Sequence, residues 1–123
     1  MKSYTTKVYY DDTDAAGVMY YANYLKLCER AKQEFFLMKN CDLFKLHNEG
    51  IYLVVKDVHI SYIKSVQLGE TVDIYVDIMK RKNASILLHF DIKVENDTRA
   101  RVDILHASID KSAKILKLPE CIK

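Results

Sequence analysis

Residues 10–38, Y-D-D-T-D-A-A-G-V-M-Y-Y-A-N-Y-L-K-L-C-E-R-A-K-Q-E-F-F-L-M, contain an acidic turn with a glycine pivot and, directly behind it, an amphipathic helix. From about Ala22 to Met38 the apolar residues Tyr24, Cys28, Ala31, Phe35 and Met38 recur at steps of four and three. Lys26, Glu29, Arg30 and Gln33 fall on the other side, which is the helical period with one face for a core. Before the turn, residues 3–10 (S-Y-T-T-K-V-Y-Y) are rich in β-branched and aromatic types and predict a strand. After the helix, a shorter helical piece around Asp42 to His47 ends at Gly50, a C′ residue.

The remaining sequence alternates with period two. Tyr52, Val54, Val58, Ile60 and Tyr62 are assigned to one face of a strand. Val72 to Ile78, Ile86 to Val94, and Val102 to Ile109 make three more. Turns are marked by Leu68-Gly69-Glu70, Lys82-Asn83 and Asn96-Asp97, and connections this short favour antiparallel pairing. The outline is strand, long helix, four strands: an α+β architecture in which one helix covers a five-stranded antiparallel sheet. Three glycines, one proline and no repeat leave no linker, so residues 1–123 read as one domain. The open sheet face and the sheet edges are natural places for a second subunit.

Half the residues are hydrophobic and 29% are charged, the composition of a globular chain. The net charge of +2 comes from 19 basic and 17 acidic residues mixed along the sequence, which argues against a nucleic-acid partner. Lys80, Arg81 and Lys82 form the only tight basic run, a candidate for an acidic ligand or, as such runs more often are, a solvated face. No apolar run approaches the roughly 20 residues of a membrane-spanning helix, and the start of the chain has no signal-peptide core. Cys28, Cys41 and Cys121 are odd in number and lack C-x-x-C spacing. This fits reduced thiols in a cytoplasm better than a disulfide framework or a zinc site.

Asp14 stands out chemically. A free aspartate has a pKa of about 4, so at neutral pH it serves as nucleophile or as base toward water. A carboxylate beside a helix start has backbone N–H donors at hand for a developing oxyanion. Gly17 permits a backbone conformation closed to other residues, or a close ligand approach. The alternative is an exposed D-D-T-D turn whose side chains cap local N–H groups. Three carboxylates without calcium-loop spacing or a neighbouring histidine give little ground for a metal. His47, His59, His89 and His106 are scattered, and Cys28 belongs to the core face. Tyr9, Tyr10, Tyr20, Tyr21 and Tyr24 are read mostly as packing residues with hydroxyls at a rim.

Tyr9 to Phe36 resembles the signature of the hotdog-fold acyl-CoA thioesterases, D-x-D-x-x-G followed by an aromatic pair and x-x-Y. It is similar to two branches, the hydroxybenzoyl-CoA thioesterases and the Tol–Pal-associated acyl-CoA thioesterases. E-R-A-K-Q-E resembles the second, while tyrosine at position 21 resembles the first. Residues 62–74, Y-I-K-S-V-Q-L-G-E-T-V-D-I, resemble the family hairpin, with Ser65-Val66 where Pro-Ala is common. The resemblance implies a long helix wrapped by five antiparallel strands, edge-to-edge homodimers or homotetramers with sites at the interface, and hydrolysis of acyl-CoA without metal or prosthetic group. It implies Asp14 as the catalytic carboxylate, the N–H near Tyr21 as oxyanion donor, and Asp12 and Gly17 as residues that hold the turn. Lys80, Arg81 and Lys82 would meet CoA phosphates. A dehydratase would want a histidine in the acidic motif, and none is there. A non-catalytic acyl-thioester or partner-binding module is the remaining alternative.

Overall fold

The computed structural model describes residues 1–122. Its elements are β1 (Lys2–Lys7), α1 (Asn23–Met38), α2 (Leu43–Asn48), β2 (Tyr52–Tyr62), β3 (Thr71–Arg81), β4 (Ser85–Val94) and β5 (Asp97–Ile109). The five strands form one antiparallel sheet in the order β1-β3-β4-β5-β2, with β1 and β2 at its edges. Strict alternation on β3 to β5 puts Val72, Ile74 and Val76, then Ile86, Leu88 and Phe90, then Ala100 and Val102 on one buried face. The stripe Tyr24, Leu27, Cys28, Ala31, Phe35 and Phe36 of α1 packs against it to make a single core.

Local chemistry sets the boundaries. Strand β1 stops at Lys7, short of the predicted Tyr10, because Tyr10–Asp12 close into a 3-10 turn. The Asp12 carboxylate accepts the Tyr9 N–H at 3.0 Å, and the Asp12 N–H donates back to the Tyr9 carbonyl at 3.0 Å. Helix α1 ends where Asn40 takes φ +60°, and α2 is capped by Asp42, whose carboxylate accepts the Phe44 N–H at 3.0 Å. Strand β5 begins at Asp97, five residues before the predicted start. Glu95 and Asn96 both have positive φ, 50° and 66°, the requirement of a tight two-residue hairpin, so the ladder resumes at once.

Two expectations are corrected. Tyr52 and Val54 do not share a face of β2 with Val58, Ile60 and Tyr62. The register shifts between Val55 and Asp57, so Val54 lies opposite Ala107 while Val58 lies opposite Ile104, on the other side of the sheet. One inserted residue reverses every later side chain. The second correction is to the thiols. Cys41 and Cys121 form a disulfide across a Cα separation of 5.2 Å, and only Cys28 is free, buried in the core. Burial pushes the Cys28 thiol pKa well up. The pairing became visible only with the path of the tail. Leu116 donates to Ser108 and Leu118 to Asn83, and the buried side chains of Leu118 and Ile122 lay residues 116–122 back on the body of the domain.

Candidate active site

The segment between the 3-10 turn and α1 is tied down by its backbone. The Asp14 N–H donates to Val18 O at 3.0 Å, and the Gly17 N–H returns to Asp14 O at 3.1 Å. Gly17 sits at φ +77° with open space where a Cβ would stand, so glycine is required there by backbone conformation and not by crowding. The Asp14 side chain is exposed, with Oδ1 accepting the Ala16 N–H at 2.8 Å. The Asp12 carbonyl accepts both the Tyr20 N–H and the Asn23 side-chain amide at 2.8 Å, which fastens the turn to the first residue of α1.

The N-cap residue of α1 is Ala22, which offers no side-chain oxygen to the first-turn N–H groups. Those donors, with the helix dipole, leave an electropositive end free for an anion. Among the described residues the Tyr21 N–H makes no hydrogen bond to protein, while the Tyr21 carbonyl accepts from the Tyr62 hydroxyl at 3.0 Å. A cavity of about 270 Å³ opens here, with Asp14, Tyr21, Tyr24 and Tyr62 around it and Lys64 and Ser65 at one side. Tyr24 and Tyr62 meet edge to face, ring centroids 5.0 Å apart. Burial pushes the phenol pKa of both upward, so both stay neutral donors. Behind this wall, Arg99 grips Glu70 with two bonds of 2.9 and 3.0 Å and donates to Ser65 O at 2.8 Å. Hydrogen bonding to Arg99 holds the Glu70 pKa below the usual carboxylate range.

The structure thus brings Asp14, Tyr21, Asp12 and Gly17 into one short stretch beside the helix start. It does not treat the basic run as a unit. Lys80 and Lys82 line a separate cavity of about 480 Å³ together with Lys56. Arg81 is registered opposite Ile86 and points to the other face, because consecutive residues of a strand alternate sides. Lys56 went unnoticed in the sequence, since only the strand order places it near residues 24 to 26 positions later. Tyr62 was missed too, for it reads as an ordinary strand tyrosine. The motif tyrosines are not packing residues within this chain: Tyr10, Tyr21 and Tyr9 are 83%, 63% and 60% exposed, and only Tyr24 is buried. Among the described residues no group of three or more His, Cys, Asp or Glu is arranged to hold a metal.

The sequence profile of the thioesterase-like superfamily matches residues 8–123. The chain belongs to this superfamily. The acyl-CoA thioesterase YbgC of Helicobacter pylori (strain ATCC 700392 / 26695) is 36% identical over 86 residues, 70% of this chain and 62% of that protein. The chain therefore spans somewhat less than two thirds of that relative. The acyl-CoA thioester hydrolase YbgC of Escherichia coli O6:H1 is 29% identical over 105 residues, 85% of this chain and 78% of that protein. Among solved structures, a gentisyl-coenzyme A thioesterase superposes with a TM-score of 0.92 at 20% identity, covering 97% of each chain, a likeness in fold. The superfamily's hotdog fold accounts for the long helix laid against the five-stranded sheet. No helix among the described residues is long and apolar enough to cross a membrane.

Proposed function

We propose that this chain is an acyl-CoA thioesterase, hydrolysing a thioester to a free acid and the CoA thiol. The observation that carries the reading is the placement of the Asp14 carboxylate at a cavity beside the uncapped start of α1, within a chain whose superfamily relatives include named acyl-CoA thioesterases. Asp14 uses one oxygen to accept the Ala16 N–H, which fixes the carboxylate plane and leaves Oδ2 for the reaction. That oxygen attacks the carbonyl carbon or draws a proton from an attacking water. If Asp14 attacks, a C–O bond to the carboxylate forms as the C–S bond breaks, and the thiolate takes a proton from water. A water then cleaves the mixed anhydride to the free acid and Asp14. If water attacks, its oxygen forms the C–O bond, the C–S bond breaks, and the proton taken by Asp14 passes to the sulfur. The Tyr21 N–H and the end of α1 receive the charge that builds on the carbonyl oxygen. One such donor is typically worth about 10²–10³-fold in kcat. Asp12 and Gly17 hold the turn.

Exposed Tyr21, Tyr62 and Ile63 line the cavity, exposed Tyr20 packs on Tyr21, and Tyr9 and Tyr10 are exposed on the turn before Asp14. A second copy of the chain covers this apolar surface in a homodimer or homotetramer. The 11-residue β2 is an edge strand with Val55 and Val58 exposed, and it supplies the pairing edge. Lys80 and Lys82, joined by Lys56, meet the phosphates of CoA. The test is thiol release from short aliphatic, long aliphatic and aromatic acyl-CoAs. Turnover of at least one class is expected, weakened in Tyr62→Phe, which loses the hydrogen bond that holds the Tyr21 carbonyl. CoA binding without turnover on every class would replace the enzyme with a binding module.

A further inference from the structure

Away from Asp14, on the part of α1 that faces α2, polar groups are buried where packing alone favours carbon. Lys32 is 2% exposed, and its ammonium has one partner, the Glu29 carboxylate at 2.6 Å, whose own side chain is half in solvent. On β5, His106 and Ser108 are fully buried, and neither ring nitrogen nor the hydroxyl has a hydrogen-bond partner. Burial, with the charge of Lys32 adding to it, pushes the His106 pKa down to about 3.

This arrangement lowers stability. Desolvating a buried ion and leaving buried polar groups without partners are both costly, whereas apolar side chains of similar volume are often neutral or better. Of these groups Lys32 lines a cavity of about 310 Å³, in which it and Glu29 meet Leu43 and Leu46 of α2 and Leu53 of β2, while His106 and Ser108 lie outside it. His47 and Tyr52, rings 4.8 Å apart, also line it. One buried cation in a cavity whose remaining lining, beside Glu29, Gln33 and His47, is leucine, isoleucine and aromatic carbon suits an anion with an apolar body better than a more heavily hydrated phosphate. The volume lies at the small end of small-molecule sites, about 300–1,000 Å³, too little for a whole acyl-CoA.

We infer that the cavity between α1, α2 and the start of β2 binds the carboxylate of a compact apolar acid, with the Lys32 ammonium as its anchor. Glu29 uses one of the three ammonium donors, so a second carboxylate takes another without expelling it. The site is separate from the Asp14 cavity and does not depend on thioester hydrolysis.

The test is an amide-shift NMR titration of the full chain with octanoate, and with 1-octanol as the uncharged probe. Octanoate should shift amides of residues 29–33 and 43–53 saturably and bind at least tenfold more tightly than 1-octanol. Lys32→Met should weaken octanoate tenfold or more, and Asp14→Asn should bind it as the wild type does. Gln33→Glu, a half-exposed change at the cavity wall, sets a like charge beside the bound carboxylate and should weaken it even if Lys32→Met fails to fold. Shifts confined to residues 14–24 and 62–65, equal affinity for octanoate and 1-octanol, no binding, or indifference to these substitutions would overturn the inference.

Discussion

Replacing Gly17 with alanine isolates the one position where the acidic turn depends on backbone conformation. At φ +77° an L-residue pays the left-handed penalty, about 1–2 kcal/mol. A Cβ there meets nothing within 4 Å, so no steric cost is added. The expected destabilisation of Gly17→Ala is therefore about 1–2 kcal/mol, and Gly17→Asn, whose side chain tolerates this region, should recover roughly half. For a chain of this size that corresponds to a fall in Tm of about 3–8 °C. Urea unfolding at 25 °C, read by circular dichroism, gives the free energies, with m unchanged if the folded state is intact. Thioester hydrolysis by the same proteins should fall further than stability does, because the Gly17 N–H holds the Asp14 carbonyl at 3.1 Å and a shifted turn moves the carboxylate. A neutral Gly17→Ala, or asparagine worse than alanine, would refute the reasoning.

Three other outcomes follow from the structure. His106 has its pKa pushed down to about 3 by burial and by Lys32. An unfolded histidine takes up its proton near pH 6.5, so the unfolded state binds more protons below that value. Stability should then fall as pH drops from about 6.5 toward 3, and His106→Leu should flatten that part of a pH–stability curve. Phe36, fully buried against α1's neighbours and the sheet, should cost about 3–5 kcal/mol as Phe36→Ala in the same urea assay. The Cys41–Cys121 bridge closes 80 residues of chain, for which the loop-entropy relation gives about 4.5 kcal/mol. Oxidised protein should show one titratable thiol when unfolded, and reduction should lower its stability; three thiols in oxidised protein would remove the bridge from the account.

The fold was legible because its signals are local and repeated. The alternation of β3 and β4 and the stripe of α1 survive in the structure nearly residue for residue, except that Met38, at the helix end, is exposed. The failures are places where one residue or a distant segment decides. The shift in β2 after Val55 turns Val54 away from Val58, and nothing in an alternating pattern announces the extra residue. The alternation of β3 itself turns Arg81 away from its lysine neighbours, and the shift between Ile78 and Lys80 sets which face each takes. Cys41 and Cys121 lie 80 positions apart, and their meeting is set by how the tail returns over the domain. At the candidate site, the turn that holds Asp12, Asp14 and Gly17 was visible as a motif. The partners of that turn, Tyr62 from the end of β2 and the Arg99–Glu70 pair behind Ser65, come from strands whose arrival depends on sheet order. Charge misled in one respect as well. A basic run read as a single patch, whereas the sheet groups Lys80 and Lys82 with Lys56.

The most direct test of the central claim compares Asp14→Asn with the wild type on whichever acyl-CoA the wild type hydrolyses best. Asparagine keeps the size of the side chain and an oxygen for the Ala16 N–H, so the fold and its urea midpoint should be unchanged. The rate of thiol release should drop by at least a thousandfold while CoA binding persists. A folded Asp14→Asn protein that turns over within tenfold of the wild type would contradict the assignment of the chemistry to Asp14.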